Sequence, residues 1–140
     1  MRERTIASHF VRAALRGAER HGLDYTPLLR QLNIQPALLD EPRARIAPEQ
    51  FASLMQLLWE SLDDEFMGFG RQRSKRGTFA MMCYAIIHCR SLEKALTRGG
   101  LFYSLFPDAP SIRLSREGDW ARLTVDDSNL WDPDHFLVES

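Results

Sequence analysis

The segment Pro48-Glu-Gln-Phe-Ala-Ser-Leu-Met-Gln-Leu-Leu-Trp-Glu-Ser-Leu62 decides how the first half of this chain folds. Its large apolar residues recur at the spacing that places them on one face of an α-helix. They are Phe51, Leu54, Met55, Leu58, Trp59 and Leu62. Proline at the start is typical of a first helical position, because the amide hydrogen that it lacks would have no partner there. The pattern predicts an amphipathic helix that begins at Pro48.

Shorter helices are predicted upstream of this segment. Residues 5–21 contain apolar or small residues at helical spacing, and Gly22 follows as a stop signal. The residues that define this face are Ile6, Phe10, Ala13, Ala14 and Gly17. Thr26 and Pro27 together mark the start of a second helix, which ends near Asn33. A further short turn is expected around Leu38.

Two more helices are predicted downstream. The stretch from Phe79 to His88 has no clean polar face, so we expect a central helix that is surrounded by protein on most sides. Ser91 can cap a following helix, which Pro107 should terminate. The apolar stripe of that last helix comprises Leu92, Ala95, Leu96, Gly99, Phe102, Tyr103 and Phe106.

The periodicity changes after Pro110. Apolar and polar residues alternate over 112–115 and again over 121–125, with Glu117-Gly-Asp119 between them, which predicts a β-hairpin. Residues 133–140 resemble the first turns of another helix. Two strands alone make a marginal sheet, so we expect the hairpin to belong to a larger antiparallel sheet. The predicted class is α+β: a helical N-terminal half, a buried central helix, then a hairpin of an incomplete sheet.

Charge and composition exclude several classes of protein. The 140 residues include 18 basic and 19 acidic side chains, for a formal net charge of −1, which offers no excess of cations for a phosphate backbone. The run Arg71-Gln-Arg-Ser-Lys-Arg76 is the one basic cluster, and a solvated loop is its usual meaning. The start of the chain lacks the apolar core of a signal peptide, and no apolar stretch is long enough to span a bilayer. We expect a cytoplasmic protein without a membrane partner.

Signals for catalysis or metal binding are nearly absent. The sequence has no glycine-rich phosphate loop, nucleophile elbow or metal-binding motif, so we predict no catalytic residues, no metal and no cofactor. Cys83 and Cys89 lie six positions apart in a predicted helix, where they cannot share a disulfide or a metal, and reduced thiols fit best. His88 could ligate haem or act as a base, but a histidine that favours the C-terminal end of a helix is the simpler interpretation.

The aromatic residues of the second half suggest a binding site. Small-molecule sites are typically apolar and aromatic cavities with a few polar groups. The candidate ligand-binding residues are Tyr84, His88, Phe102, Tyr103, Phe106 and Trp120. Packing in a core is the alternative explanation for most of them.

Two stretches carry a resemblance to a known family. They are Asp64-Glu-Phe-Met-Gly-Phe-Gly70 and Lys75-Arg-Gly-Thr-Phe-Ala-Met-Met-Cys-Tyr-Ala-Ile-Ile-His-Cys-Arg-Ser-Leu-Glu-Lys-Ala-Leu-Thr-Arg98. Both resemble the arabinose-binding-like sensor domain of the AraC/XylS-family transcription regulators, which is distinct from the cupin sensor of the arabinose regulator itself. The upstream pieces Leu28-Leu-Arg-Gln-Leu-Asn-Ile34 and Arg43-Ala-Arg-Ile46 are similar to the same group.

The resemblance implies a non-enzymatic regulatory module. Residues 1–140 would form a single effector-sensing domain that continues beyond Ser140, and the tandem helix-turn-helix domain would lie outside this chain. The domain would bind a small metabolite in a bacterial cytoplasm and contact DNA only through the missing domain. A homodimer is a further possibility that the sequence leaves open. The alternatives are a dimerisation module without a ligand, and a haem or gas sensor.

Overall fold

The computed structural model describes residues 5–130, and the chain divides into two compact units, Met1–Gly68 and Phe69–Ser140. The described residues form five α-helices, one 3-10 helix and two antiparallel two-stranded sheets. The predicted α+β class is therefore confirmed. The helix expected over 133–140 lies outside the described residues.

The first unit contains the helices predicted for the N-terminal half, together with a short pair of strands. In chain order its elements are β1 (Ile6–Ala7), α1 (Ser8–Arg20), α2 (Thr26–Gln31), a 3-10 helix (Pro36–Leu39), β2 (Arg45–Ile46) and α3 (Pro48–Leu62). Strand β1 pairs with β2 in antiparallel register, with Ile6 opposite Ile46. The predicted start of α3 at Pro48 is confirmed.

The core of this unit lies between α1, α2 and α3. Its buried apolar residues are Val11, Ala14, Leu15, Ala18, Leu29, Ile34, Ile46, Leu54 and Leu58. The α3 residues belong to the predicted stripe. On α1, however, the buried large residues are Val11 and Leu15, whereas Phe10 is only half-buried. The sequence pattern found this helix and the buried positions Ala14 and Gly17, but it missed Val11 and Leu15.

Buried polar contacts tie the connection before β2 to α1. The Ser8 hydroxyl donates to the Glu41 carbonyl at 2.9 Å, and the Arg12 guanidinium donates to the Leu39 carbonyl at 2.6 Å. Since Ser8 is buried, these bonds satisfy groups that would otherwise be costly to remove from water.

The second unit is built from two helices and a hairpin. Its elements are α4 (Thr78–Ile86), α5 (Leu92–Tyr103), β3 (Ser111–Glu117) and β4 (Trp120–Asp126). The Ser91 hydroxyl accepts from the Lys94 amide at 3.3 Å, so the predicted cap of α5 is confirmed. The hairpin is confirmed too: β3 and β4 are antiparallel, with Leu114 opposite Leu123, and Gly118 opens its two-residue turn at φ 61°. A positive φ at the first turn position matches the twist of the strands and favours glycine.

The expectation that the central helix is buried needs correction. Met82 is the one buried residue of α4, at 9% exposure, whereas Tyr84 is 70% exposed. Phe79 and Met81 also lie at the surface. An all-round apolar composition permits burial on every side but does not supply neighbours. Within its own unit α4 packs against α5, which covers the face that carries Met82 and leaves the others open.

Candidate functional site

A close crossing of α5 and β3 shapes the surface of the second unit. Gly99 and Gly100 are both buried, and a Cβ at Gly100 would lie 2.5 Å from the Ile112 carbonyl oxygen. Glycine inside a helix weakens it, so Gly100 is best explained by this near contact of two backbones. The helix therefore lies directly on β3, and residues of α5 and the hairpin line two grooves.

The first groove, called here the turn-side groove, lies between the start of α5 and the hairpin turn. Its volume is about 320 Å³. Its lining includes Glu93 and Thr97 from α5, with Leu114, Arg116, Asp119 and Trp120 from the hairpin. Two carboxylates, one guanidinium and an indole that is 81% exposed thus surround one small space. The Arg116 Nε donates to the Gly118 carbonyl at 3.3 Å, which holds this side chain beside the turn.

The second groove, called the strand-side groove, lies between the second half of α5 and the first residues of β3. Its volume is about 500 Å³, and its lining is more apolar. Leu101 and Ser104 of α5 face Ile112 and Leu114 of β3 across it. Ligand sites commonly enclose about 300–1,000 Å³, so both grooves are large enough for a small metabolite.

Of the six candidate residues from the sequence, Trp120 lines the turn-side groove. Three others form a separate aromatic cluster at the end of α5. The ring centroids of Phe102 and Tyr103 are 5.6 Å apart in an edge-to-face arrangement, and those of Phe102 and Phe106 are 5.3 Å apart. These distances are typical of favourable aromatic pairs.

The remaining two candidates lie on or beside α4. Tyr84 projects from the exposed surface of the helix, and His88 lies in the turn that follows it. Neither residue lines the turn-side or the strand-side groove. Among the six predicted residues, the contacts described bring Phe102, Tyr103 and Phe106 together.

A comparison with known families identifies the family of this chain. Residues 22–140 match the family model described as the arabinose-binding domain of AraC transcription regulators, at their N-terminus. The chain belongs to this family. The resemblance noted over residues 64–98 is thereby confirmed, and the match includes all described elements from α2 to β4. A search of curated proteins and a search of solved structures each returned no match. Membership makes the chain a regulatory, ligand-sensing type of domain.

In this AraC-family domain, sequence reasoning missed most of the groove. Glu93, Arg116 and Asp119 are charged residues at helix starts and turns, where a solvated position is the ordinary interpretation. Two signals could have pointed to them. The paired glycines of α5 predict a close crossing, and the hairpin turn brings Asp119 directly before an exposed tryptophan.

The described residues of this AraC-family domain contain two cysteines but no metal-binding cluster and no membrane-spanning helix. Cys83 and Cys89 are free thiols. Residues 5–130 contain no cluster of three histidine, cysteine or carboxylate side chains that could hold a metal ion. None of the helices within this range has the length and hydropathy needed to cross a bilayer.

Proposed function

We propose that this domain senses a small metabolite in the turn-side groove and transmits its presence to a DNA-binding domain in a longer bacterial regulator. The family match carries the sensing role. We place the effector in the turn-side groove because this groove combines an exposed indole with charged groups of both signs. Residues 1–140 would act as one effector-sensing domain without catalytic activity, in the cytoplasm.

The lining indicates the chemistry of the effector. The Trp120 indole offers a flat apolar surface on which a planar or aliphatic part of a ligand can stack. Glu93 and Asp119 can bind a cationic group, and Arg116 can bind a carboxylate through paired N–H donors. A metabolite that carries both an amino and an acid group fits this arrangement better than a purely apolar compound.

The position of the groove suggests how binding acts on the rest of the protein. A ligand that contacts α5 and the hairpin together stabilises the arrangement in which these elements lie correctly spaced. Binding shifts the population of the domain toward that arrangement. The size of the shift depends on how much more tightly the ligand binds this arrangement than the alternative one. DNA contact belongs to the attached domain, because this chain has a formal charge of −1.

A thermal-shift screen with amino acids, organic acids and catabolic intermediates tests the proposal, since a ligand that prefers the folded state raises the melting temperature. The hits are then measured on Trp120→Ala and on a matched control, Trp59→Ala. Trp59 lies on α3 in the other unit and is 37% exposed. We expect the ligand-induced shift to disappear in the first variant and to persist in the second.

Two outcomes decide the location and the role separately. A ligand that still raises the melting temperature of Trp120→Ala and of Arg116→Ala binds elsewhere. The next positions to test are then Tyr84, His88 and the aromatic cluster of Phe102, Tyr103 and Phe106, called here the Phe102 cluster. A screen without any hit, combined with association at rising protein concentration, would support the second candidate function, a dimerisation module. The exposed apolar side chains of β4 favour that candidate.

A further inference from the structure

Strand β4 has an open edge and an uncovered apolar face. It pairs with β3 on one side, and no strand within residues 5–130 pairs with its other side. Leu123 and Val125 share a face with their β3 partners Leu114 and Ile112. Helix α5 packs against β3, and Leu123 and Val125 remain 48% and 42% exposed. A two-stranded sheet with such a face is marginally stable unless further strands join it.

The backbone groups on the open edge follow from the hairpin register. A two-residue turn is closed by a hydrogen-bonded pair, here Glu117 and Trp120, and hydrogen-bonded pairs alternate with non-hydrogen-bonded ones along the strands. The amide and carbonyl groups of Ala121, Leu123 and Val125 therefore point away from β3. They form a row of free donors and acceptors on which another strand can pair.

We propose that β4 pairs in antiparallel fashion with β4 of a second copy of this chain, with Thr124 opposite Thr124 at the two-fold axis. This inference is independent of the proposed effector site. The register places each Leu123 opposite a Val125 on the apolar face, and these two residues exchange the outward-facing hydrogen bonds. The product is a four-stranded sheet in the order β3, β4, β4, β3.

Charge complementarity favours pairing with a second copy, and it favours the register with Thr124 on the axis. With Thr124 on the axis, each Arg122 lies opposite an Asp126 of the other copy, so the symmetric pairing creates two ion pairs. Opposite charges directly across a sheet stabilise it, and like charges destabilise it. A register with Leu123 on the axis would place Arg122 opposite Thr124 and would lose both pairs. A surface that complements itself in this way is what a two-fold interface requires.

The two charged residues lie on the exposed surface of the hairpin. Arg122 forms an ion pair with Glu117 at 3.1 Å on the exposed face of the hairpin, so its guanidinium is held at the surface. Hydrogen bonds from Ser128, and then the charge of Arg113, lower the pKa of Asp126, so this carboxyl is ionised at neutral pH. The strand has no proline, glycine or lysine, the residues with which proteins often disrupt an exposed edge.

Two charge-reversal variants of the 140-residue chain test the proposal by sedimentation velocity over a range of concentrations. Arg122→Glu and Asp126→Arg each create two like-charge pairs in a homodimer, and each should weaken association by about ten-fold or more. In an equimolar mixture the heterodimer regains two opposite pairs. We therefore expect the mixture to associate as strongly as the wild type, with the heterodimer mass visible by native mass spectrometry.

A matched control is Arg90→Glu, which makes the same charge change at an exposed position between α4 and α5, outside the hairpin. It should associate like the wild type. Circular dichroism checks that each variant keeps its fold. If a reversed charge disturbs the hairpin, the neutral single variants Arg122→Gln and Asp126→Asn test the same ion pairs.

Three results would overturn the proposal. The wild-type chain could remain monomeric at every concentration. The mixture could associate no better than either variant alone. Arg122→Glu could lower the melting temperature without changing association, which would mean that β4 is covered within one chain.

Discussion

Gly17 of α1 lies directly against the backbone carbonyl of Met67, because a Cβ added at position 17 would lie 1.7 Å from that oxygen. The contact is reciprocal: a Cβ at Gly68, whose φ is 79°, would lie 2.6 Å from the Gly17 oxygen. The buried Asp64 carboxylate holds this turn by accepting from the amides of Phe66 at 3.0 Å and Gly68 at 2.8 Å. Two glycines far apart in sequence thus allow the end of the first unit to lie on its first helix.

The first prediction is that Gly17→Ala destabilises the first unit by about 3 kcal/mol or more, because backbone rather than a flexible side chain must move to admit the methyl group. Gly22→Ala is the control. Its φ is also positive, at 68°, but no atom lies within 4 Å of the added Cβ, so the cost is about 1 kcal/mol of backbone strain. Urea denaturation measures both. Equal losses in the two variants would contradict the close contact.

The Gly17 contact also shows where sequence reasoning stops. Local signals were enough for the helix starts at Thr26 and Pro48, for the Ser91 cap and for the hairpin, because each depends on neighbouring residues. Periodicity gave Gly17 a place on an apolar stripe, but the position of its partner Met67 depends on tertiary packing. The turn-side groove was missed for the same reason.

The exposure of α4 shows a second limit of the sequence pattern. Its composition allows burial on every face, yet the number of elements packed around a helix is a property of the whole fold. Among the candidate ligand residues, composition grouped Trp120 with the Phe102 cluster, although the fold places Trp120 at the turn-side groove.

The second prediction concerns the paired glycines of α5. Gly100→Ala should destabilise the second unit by about 1–3 kcal/mol, since the added Cβ would lie 2.5 Å from the Ile112 carbonyl oxygen and would push the helix off β3. Gly99→Ala is the matched neighbour, because its Cβ would meet the flexible Met82 sulfur at 3.4 Å. Alanine also favours a helix more than glycine, so this variant should be neutral or slightly stabilising. Thermal melts of both variants give the comparison, and a more stable Gly100→Ala would refute the crossing.

The third prediction uses two adjacent methionines of α4. Met82→Asp should cost several kcal/mol, because it leaves a charge without a partner in the contact between α4 and α5. Met81→Asp places the same charge on the exposed side of the helix and should change the free energy of unfolding by about 0.5 kcal/mol or less. Chemical denaturation distinguishes them. If the two variants lose similar stability, the Met81 side is covered in solution and the exposed face has a partner.

The last prediction is a pH dependence that originates at Tyr25. Its hydroxyl donates to the Glu19 carboxylate at 2.7 Å, and this bond, together with burial and the negative charge of Glu19, raises the pKa of Tyr25 from 10.0 to about 12. Because the folded state favours the protonated phenol, the stabilisation is complete below pH 10 and is lost as the pH rises toward about 12. Tyr25→Phe should remove about 0.5 kcal/mol at neutral pH, a small value because the pair is exposed to solvent. The gap in urea midpoint between the wild type and Tyr25→Phe should therefore close between about pH 10 and 12.

Tyr84→Phe, which changes a tyrosine at the surface of α4, is the control and should leave the urea midpoint unchanged at neutral pH. Tyrosinate absorbance provides a second measurement, because the difference between the wild-type and Tyr25→Phe titrations should rise near pH 12. A difference that rises at pH 10 instead would mean that the Tyr25–Glu19 hydrogen bond is absent in solution.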